Sequence, residues 1–224
     1  MPESSSNPVF LVQNGRLVIE AESSEAVGDW KRTRISGRTA LLWDPERSSY
    51  RTVPSGQTLV YEFETEDNDD ATGSYGIALY AARDRAVMNP NDRYENGIDD
   101  AEGERTDTGN DAFVSVINAE TGEVIQGPIK LFTFLGDRNR SFRWGNTFDG
   151  GGEKFPSRVG LEKDTRYRIE VTGRSDGYVL DRITMLRDDD EDNFFQSKTA
   201  PESPVKEIIP EPEPEPEPEP APEP

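Results

Sequence analysis

The sequence predicts an all-β fold, an antiparallel β-sandwich of the jelly-roll type with long loops. The first observation is that several segments alternate apolar and polar side chains, which is the period of a strand with one buried face. The second is that no convincing helical pattern longer than a turn or two occurs in the chain. The third is that the alternating segments are joined only by turns and loops, as in stacked antiparallel sheets.

Each predicted strand is justified by its own alternation. In residues 57–64, for example, Leu59, Tyr61 and Phe63 share one face of the strand. Residues 65–72 are polar and turn-forming, so we expect them to join this strand to the next as a hairpin loop. In chain order, the predicted strands are residues 17–22, 57–64, 73–82, 111–118, 129–135, 166–172 and 178–186.

The chain is predicted to divide into three regions. Residues 1–7 form a disordered start, residues 8–187 form the β-sandwich, and residues 188–224 form an acidic linker rich in Glu and Pro. The alternating Glu-Pro run is expected to be an extended, self-repelling spacer because it has no apolar side chains with which to build a core. Residues 82–111 form a long loop rich in Asp, Asn, Arg and Gly, and loops of that length are usually functional or disordered.

The composition excludes several classes of function. The chain has no Cys and no His, so thiolate catalysis, imidazole bases and the common zinc sites are excluded. The formal net charge is −20, more than half of it lies after residue 187, and no basic stripe is present. We therefore expect neither nucleic acid nor an anionic membrane surface as a partner. No apolar run is long enough to span a bilayer, so membrane insertion is not expected.

The ends of the chain indicate its context. The first residues do not form a signal peptide, and the Glu-Pro run ends as if cut off. We interpret the chain as one module excised from a longer exported bacterial protein, secreted or at the cell surface. It is expected to be a monomer whose neighbours are the other domains of that parent protein.

Two predicted strands place carboxylates inside apolar, alternating runs. Glu20 and Glu22 are two residues apart, so both would project from one face of the first strand. If the first and last strands lie side by side, these two residues and Asp181 could share one cation. Calcium prefers such oxygen ligands. The alternative is that an arginine, Arg182 or Arg38, neutralises ordinary carboxylates.

The two acidic segments carry a resemblance to a known group of proteins. The sequences Leu-Val-Ile-Glu-Ala-Glu at residues 17–22 and Tyr-Val-Leu-Asp-Arg-Ile at residues 178–183 resemble the carbohydrate-binding modules of families 6, 35 and 36. The resemblance extends from about residue 9 to residue 186. It implies that Glu20, Glu22 and Asp181 bind a structural calcium ion, and it implies no catalysis. At Val179 many members carry an Asn that hydrogen-bonds the sugar, so this chain departs from the pattern there.

A sugar-binding site needs exposed flat rings, because the apolar face of a pyranose stacks on an aromatic side chain. Trp144 lies in a polar, Gly-rich segment where a strand interior is not expected, and the resemblance implies a cleft-forming aromatic in such a loop. Trp43 or Tyr50 is expected to form the opposing wall. The alternative for each ring is a place in the core. The residues expected to bind sugar hydroxyl groups are Arg143, Asn146 and Asp149.

Together these observations favour a non-catalytic module that binds a plant or algal polysaccharide, or an oligosaccharide, through loop aromatics and contains a structural calcium ion. One alternative is a calcium-stabilised adhesion or spacer domain with a protein partner, because a fold does not decide function. Another is a glycoside-active enzyme, because such enzymes need only two carboxyl groups.

Overall fold

The computed structural model describes residues 8–46, 52–87, 109–135, 138–150, 153–187 and 197–206. Its strands form two stacked sheets, which confirms the predicted all-β sandwich. Among the described residues, no helix is long and apolar enough to cross a membrane. The strands are β1 (Val9–Leu11), β2 (Arg16–Glu20), β3 (Trp30–Ile35), β4 (Arg38–Trp43), β5 (Thr58–Glu64), β6 (Gly73–Arg83), β7 (Asp111–Asn118), β8 (Val124–Phe132), β9 (Arg143–Gly145), β10 (Thr147–Gly150), β11 (Glu153–Pro156), β12 (Arg158–Leu161), β13 (Arg166–Gly173) and β14 (Tyr178–Arg187).

The first sheet has the strand order β1-β5-β13-β7-β8-β10-β11. The second sheet has the order β12-β6-β14-β4-β3, with β2 also paired to β14 and β9 also paired to β6. The described pairings are antiparallel except that between β1 and β5, which is parallel.

The core lies between the sheets and contains the apolar faces that the alternation predicts. Leu59, Tyr61 and Phe63 of β5 are all buried there. The ring of Phe63 stacks on that of Tyr167 in β13, with 5.6 Å between the centroids. Complete burial of a large apolar side chain contributes about 1.5–3 kcal/mol, so this interior is the main source of the sandwich's stability.

Strand β14 lies inside the second sheet and changes its partner midway. On one side it pairs with β6, and on the other it pairs first with β4 and then, from Arg182 onward, with β2. A bulge at Asp181 marks the change. Because Leu180 and Ile183 both face the core, the bulge leaves Asp181 and Arg182 on the outer face of the sheet. Arg182 pairs with Glu20, so the predicted contact between the first and last acidic strands is confirmed.

The polar, Gly-rich segment around Trp144 is not a loop, so that prediction is wrong. It contains β9, which belongs to the second sheet, and β10, which belongs to the first. The chain crosses between sheets at Gly145, where an added Cβ atom would lie 2.2 Å from the hydroxyl oxygen of Thr133. Glycine at the end of β9 therefore permits the close approach of the chain to Thr133 as it crosses to the other sheet.

A second apolar cluster lies on the outer face of the second sheet. It contains Ile35, Ala40, Leu42, Ala82 and Val179. Half-buried Val87 and Phe142 pack over this cluster. The position at which many modules of the resembled group carry an Asn is therefore covered by apolar side chains in this chain.

Residues 197–206, which we call the C-terminal strap, pack on the sandwich. The backbone N–H of Leu11 donates to the carbonyl of Pro204 at 2.8 Å, and that of Ser203 donates to the carbonyl of Val18 at 2.8 Å. The residues from 188 onward are predicted to form a linker. The strap is an exception, because its backbone is hydrogen-bonded to strands β1 and β2. The remainder of the predicted tail, residues 207–224, and the predicted disordered start, residues 1–7, lie outside the described residues.

Candidate functional site

The predicted acidic residues lie together at one end of the β2–β14 pair. The strand ends at Glu20, and Glu22 lies in a short 3-10 turn, Ala21–Ser23, so the expectation that both project from one strand face is wrong. Asp181 follows on the neighbouring strand, one residue before the partner of Glu20. With Glu202 of the strap, described below, these residues form what we call the carboxylate cluster.

Two arginines bind the cluster. The Nε atom of Arg182 donates to Oε2 of Glu20 at 3.2 Å, and a second contact joins Nη2 to Oε1. The Nη1 atom of Arg38 donates to Oδ2 of Asp181 at 3.0 Å. These are the two arginines that the sequence offered as alternative partners. The side chain of Arg182 is only 7% exposed and that of Glu20 is 26% exposed, so their pair is partly shielded from solvent.

Burial and the charges of neighbouring carboxylates raise the pKa values of two members of the cluster, Asp181 and Glu22. Burial raises the pKa of Asp181 to about 6, opposed by Arg38 and supported by the charge of Glu20. Burial also raises the pKa of Glu22, and Glu20 and Glu202 add to that rise. One carboxylate oxygen of Glu22, Oε2, is buried without a hydrogen-bond partner. The negative charges of the cluster therefore repel one another, and one of its buried carboxylate oxygens has no hydrogen bond.

Glu202 is a member of the cluster that sequence reasoning missed. Its Oε1 atom accepts hydrogen bonds from the backbone N–H of Glu20 at 2.8 Å and from the hydroxyl of Ser23 at 2.5 Å. These bonds hold the strap carboxylate against the turn that carries Glu22. The acidic, Pro-rich composition that predicted a linker concealed this residue.

The donor chemistry of the cluster fits calcium, because it offers carboxylate oxygens and one of them, Oε2 of Glu22, is buried and lacks a partner. As the side chains stand, no group of three or more His, Cys, Asp or Glu residues within the described ranges is placed to hold a metal ion. A cation bound by the predicted ligands would take Glu20 from Arg182 and Asp181 from Arg38.

Trp144 belongs to a row of three rings on the outer face of the second sheet, which we call the aromatic platform: Tyr80, Phe142 and Trp144. Tyr80 on β6 lies opposite Trp144 on β9, with 4.8 Å between the ring centroids and an angle of 39°. Phe142 stacks on the same tyrosine at 5.5 Å and 27°. All three side chains are half-buried. The guanidinium carbon of Arg38 lies 5.4 Å from the centre of the Tyr80 ring, so Arg38 links the platform to the carboxylate cluster.

Trp43 is not part of this surface, and its predicted role as a cleft wall is wrong. Its side chain is fully buried in the core, where its ring lies 5.3 Å from that of Trp30. It also packs on the backbone of Gly173, where an added Cβ atom would lie 2.1 Å from the indole. Tyr50, the other predicted wall, lies outside the described residues.

The structure does not gather the predicted polar residues around Trp144. Arg143 precedes Trp144 on the same short strand, so its side chain leaves from the opposite face. Asn146 is exposed at the crossing between the sheets. Asp149 belongs to the other sheet, where it pairs with Lys130 at 2.6 Å.

Sequence reasoning also missed the most exposed large apolar side chain of the described residues, Phe134, which is 74% exposed. The signal was present, because Leu131, Thr133 and Leu135 alternate with it and are buried. The alternation of β6 likewise places Tyr80 on the outer face of the sheet, because its neighbours in the strand face the core.

No family model and no curated protein matches the chain. Among solved structures it is similar to the C-terminal family 6 carbohydrate-binding module of a marine laminarinase from Zobellia galactanivorans, at 15% identity over 77% of this chain and 99% of that one, with a TM-score of 0.41. It is also similar to a family 35 carbohydrate-binding module from Clostridium thermocellum, at 16% identity over 75% of this chain and 97% of that one, with a TM-score of 0.41.

A third similar structure is a β-1,4-mannanase from Podospora anserina that includes a family 35 module. The identity is 16%, the match covers 78% of this chain but only 28% of that one, and the TM-score is 0.40. The modules in these structures belong to families 6 and 35, two of the families that the acidic strands of this chain resemble.

Proposed function

We propose that this chain is a non-catalytic carbohydrate-binding module that binds a plant or algal polysaccharide on the aromatic platform and contains a structural calcium ion in the carboxylate cluster. The observation that carries the proposal is the platform itself, a row of three half-buried rings on the outer face of a rigid sheet.

The platform has the physical properties that a sugar ring requires. Stacked side chains present apolar surface, and a pyranose covers such a surface with its own apolar face while its hydroxyl groups stay at the edge. Arg38 lies beside Tyr80 and offers charged donors for those hydroxyl groups. The second apolar cluster supports the platform from below, since Phe142 packs on it. The site is therefore held by the sheet before a ligand arrives, which lowers the entropic cost of binding.

Asp181, the carboxylate that Arg38 links to the platform, does not suit catalysis. Glycoside hydrolysis needs two carboxyl groups on either side of the bond that is cleaved. Arg38 connects the platform to Asp181, which is buried and ion-paired to that arginine. This arrangement favours binding over hydrolysis.

The proposed calcium ion has a structural role. Glu20, Glu22 and Asp181 would hold it at the junction of β2, the 3-10 turn and β14. A cation that binds only the folded chain stabilises the fold by mass action and compensates the repulsion within the cluster. These residues hold the end of β2 on β14, and this role does not require the ion or its ligands to contact the sugar.

In the proposed context, the module belongs to a longer exported protein. The Glu-Pro segment after the strap would act as a spacer, and glycan binding would raise the effective concentration of the other domains at an insoluble substrate.

Affinity electrophoresis against a panel of plant and algal polysaccharides tests the proposal. We expect at least one neutral polysaccharide to retard the wild-type protein, and Trp144→Ala to abolish that retardation. Phe134→Ala is the matched control, because it removes an aromatic side chain that is 74% exposed, outside the platform. Retardation should survive in that control.

Three results would contradict the proposal. Unchanged retardation of Trp144→Ala would exclude the platform as the site. Absence of retardation by every polysaccharide, together with capture of a protein partner, would favour the adhesion alternative. Release of reducing sugar by the wild-type protein would favour the enzyme alternative.

A further inference from the structure

We infer that the C-terminal strap forms one wall of the glycan site, and that Lys198 of the strap donates hydrogen bonds to the sugar that the aromatic platform binds. The inference rests on the proposed function and extends its site to a segment whose composition is typical of a linker. Trp43, which the sequence predicts as a wall, is buried in the core, so the wall has to come from another part of the chain.

The strap has a fixed place on the sandwich because it is hydrogen-bonded to both sheets. The backbone N–H of Lys206 donates to the carbonyl of Val9 in β1 at 2.8 Å. The backbone N–H of Val18 in β2 donates to the hydroxyl of Ser203 at 3.0 Å. A wall held in this way needs no ordering when a ligand arrives, which lowers the entropic cost of binding.

Arg182 holds residues 197–200 on the face of the sheet that carries the platform. It is the partner of Tyr80 in the pairing of β14 with β6, and it lies on the outer face of that sheet. Its Nη1 atom donates to the carbonyl of Ala200 at 2.9 Å and also contacts the carbonyl of Ser197. This part of the strap is therefore bound to the residue directly opposite the platform tyrosine.

Arg38 gives a second and more direct link between the strap and the platform. Its guanidinium carbon lies 5.4 Å from the centre of the Tyr80 ring. The Nη2 atom of the same guanidinium donates to the carbonyl of Lys198 at 3.3 Å. Because one planar group contacts both the ring and the strap, the backbone of Lys198 lies at the edge of the platform.

The exposed groups at this edge are suited to sugar hydroxyl groups. Asp181, which pairs with Arg38, is only 2% exposed at its side chain, whereas Arg38 is 32% exposed. Lys198 is exposed as well. A sugar stacked on the rings keeps its hydroxyl groups at the edge of the platform, where these cationic donors lie. The ammonium group has three donors on a flexible stem, so it can adjust to the positions of the hydroxyl oxygens.

Calorimetric titration of the full chain with the most retarded oligosaccharide tests the role of Lys198. We expect Lys198→Ala to weaken binding by about fivefold, the effect of one lost hydrogen bond. Lys198→Arg keeps a cationic donor and should stay within about twofold of wild type.

The matched control is Lys206→Ala. It removes an exposed lysine from the other end of the same strap, where the ammonium group pairs with Glu64 at 2.7 Å. Its affinity should also stay within about twofold of wild type, because that end of the strap lies on β1 and not at the platform.

An NMR titration with the same oligosaccharide gives a readout that does not require a variant. The backbone amides of Lys198 and Thr199 should shift together with those around Tyr80, while the amide of Lys206 stays unchanged. Absence of shifts at both of these strap amides would overturn the inference.

The outcomes separate this inference from the proposed function. If Trp144→Ala binds as tightly as wild type, the platform is not the site and both fail. If Trp144→Ala loses binding while Lys198→Ala matches Lys206→Ala in affinity, only the role of the strap is overturned. A loss in Lys198→Ala that Lys198→Arg restores supports both.

Discussion

Trp43 and Trp144 are the same residue type, and the structure gives them opposite roles. Trp43 fills the core beside Trp30 and lies directly on the backbone of Gly173. Its replacement by alanine leaves a cavity that the surrounding strands cannot close without losing their pairing. Such substitutions cost about 3–5 kcal/mol, so Trp43→Ala should be severely destabilised.

Trp144→Ala should have the opposite effect, with a small loss of stability and a large loss of glycan binding. Its half-buried ring contacts that of Tyr80, with 4.8 Å between the ring centroids. An aromatic pair is worth about 0.5–1.5 kcal/mol beyond the area it buries, and the loss of partial burial adds a comparable amount. We expect a total cost of about 1–3 kcal/mol in stability. The loss in binding should be at least about 2 kcal/mol or thirtyfold, as for an aromatic residue at the centre of an interface.

Urea denaturation at 25 °C and calorimetric titration with the most retarded oligosaccharide measure the two quantities separately. Trp43→Ala should lose stability and bind normally for the fraction that remains folded. Trp144→Ala should keep most of its stability and lose binding. Equal stability of the two variants would refute the assigned positions, and normal glycan binding by Trp144→Ala would refute the role of the platform.

The remaining predictions concern charges. Asp111→Ala should lower the free energy of unfolding by about 3–5 kcal/mol in a denaturant titration, because it removes the buried carboxylate that Arg174 binds through both oxygens. Glu62→Ala, at a more exposed pair with Arg166, should lower it by at most about 1 kcal/mol, and equal losses would contradict the difference in burial. Calcium at about 100 times its dissociation constant should raise the free energy of unfolding by about 2.7 kcal/mol. Removal of the ion with a chelator should therefore lower Tm by about 5–11 °C, whereas an unchanged Tm would contradict a structural ion. Arg38→Met should weaken glycan binding by about tenfold, since it removes donors beside Tyr80, and an unchanged dissociation constant would exclude Arg38 from the site.

The sandwich could be predicted because some of its strands bury one face and leave the other partly exposed. In β5, and in β13 as far as Val171, the buried residues recur at every second position, so alternation alone identifies the strand and its inner face. The pairing of the first acidic strand with the last could be predicted because carboxylates in apolar runs require a common partner. What alternation could not decide was whether that partner is a cation or an arginine.

The strands that the sequence did not reveal lack a clean alternation. Residues 40–43 of β4 are all buried, because β4 is covered on one face by the core and on the other by the second apolar cluster. A continuous apolar run does not show which side chains face inward, so Trp43 could not be assigned to the core. Strands β9 and β10 are short and rich in glycine, which suggested a loop, although close packing at the crossing requires Gly145 at the end of β9.

The strap could not be predicted for a different reason. Glu202 binds the backbone of Glu20, a residue 182 positions earlier in the chain. A single sequence contains no local signal for such a partner, and the Pro-rich composition indicates a spacer. Only the three-dimensional structure shows that two arginines hold this segment on the sandwich.

The central claim is that the aromatic platform binds the glycan, and an NMR titration with the most retarded oligosaccharide tests it most directly. The platform predicts saturable shifts at the indole N–H of Trp144 and at the backbone amides around Tyr80 and Phe142, while the indole N–H of Trp43 stays unchanged. Shifts centred on Phe134, or no shifts at saturating oligosaccharide, would contradict the claim.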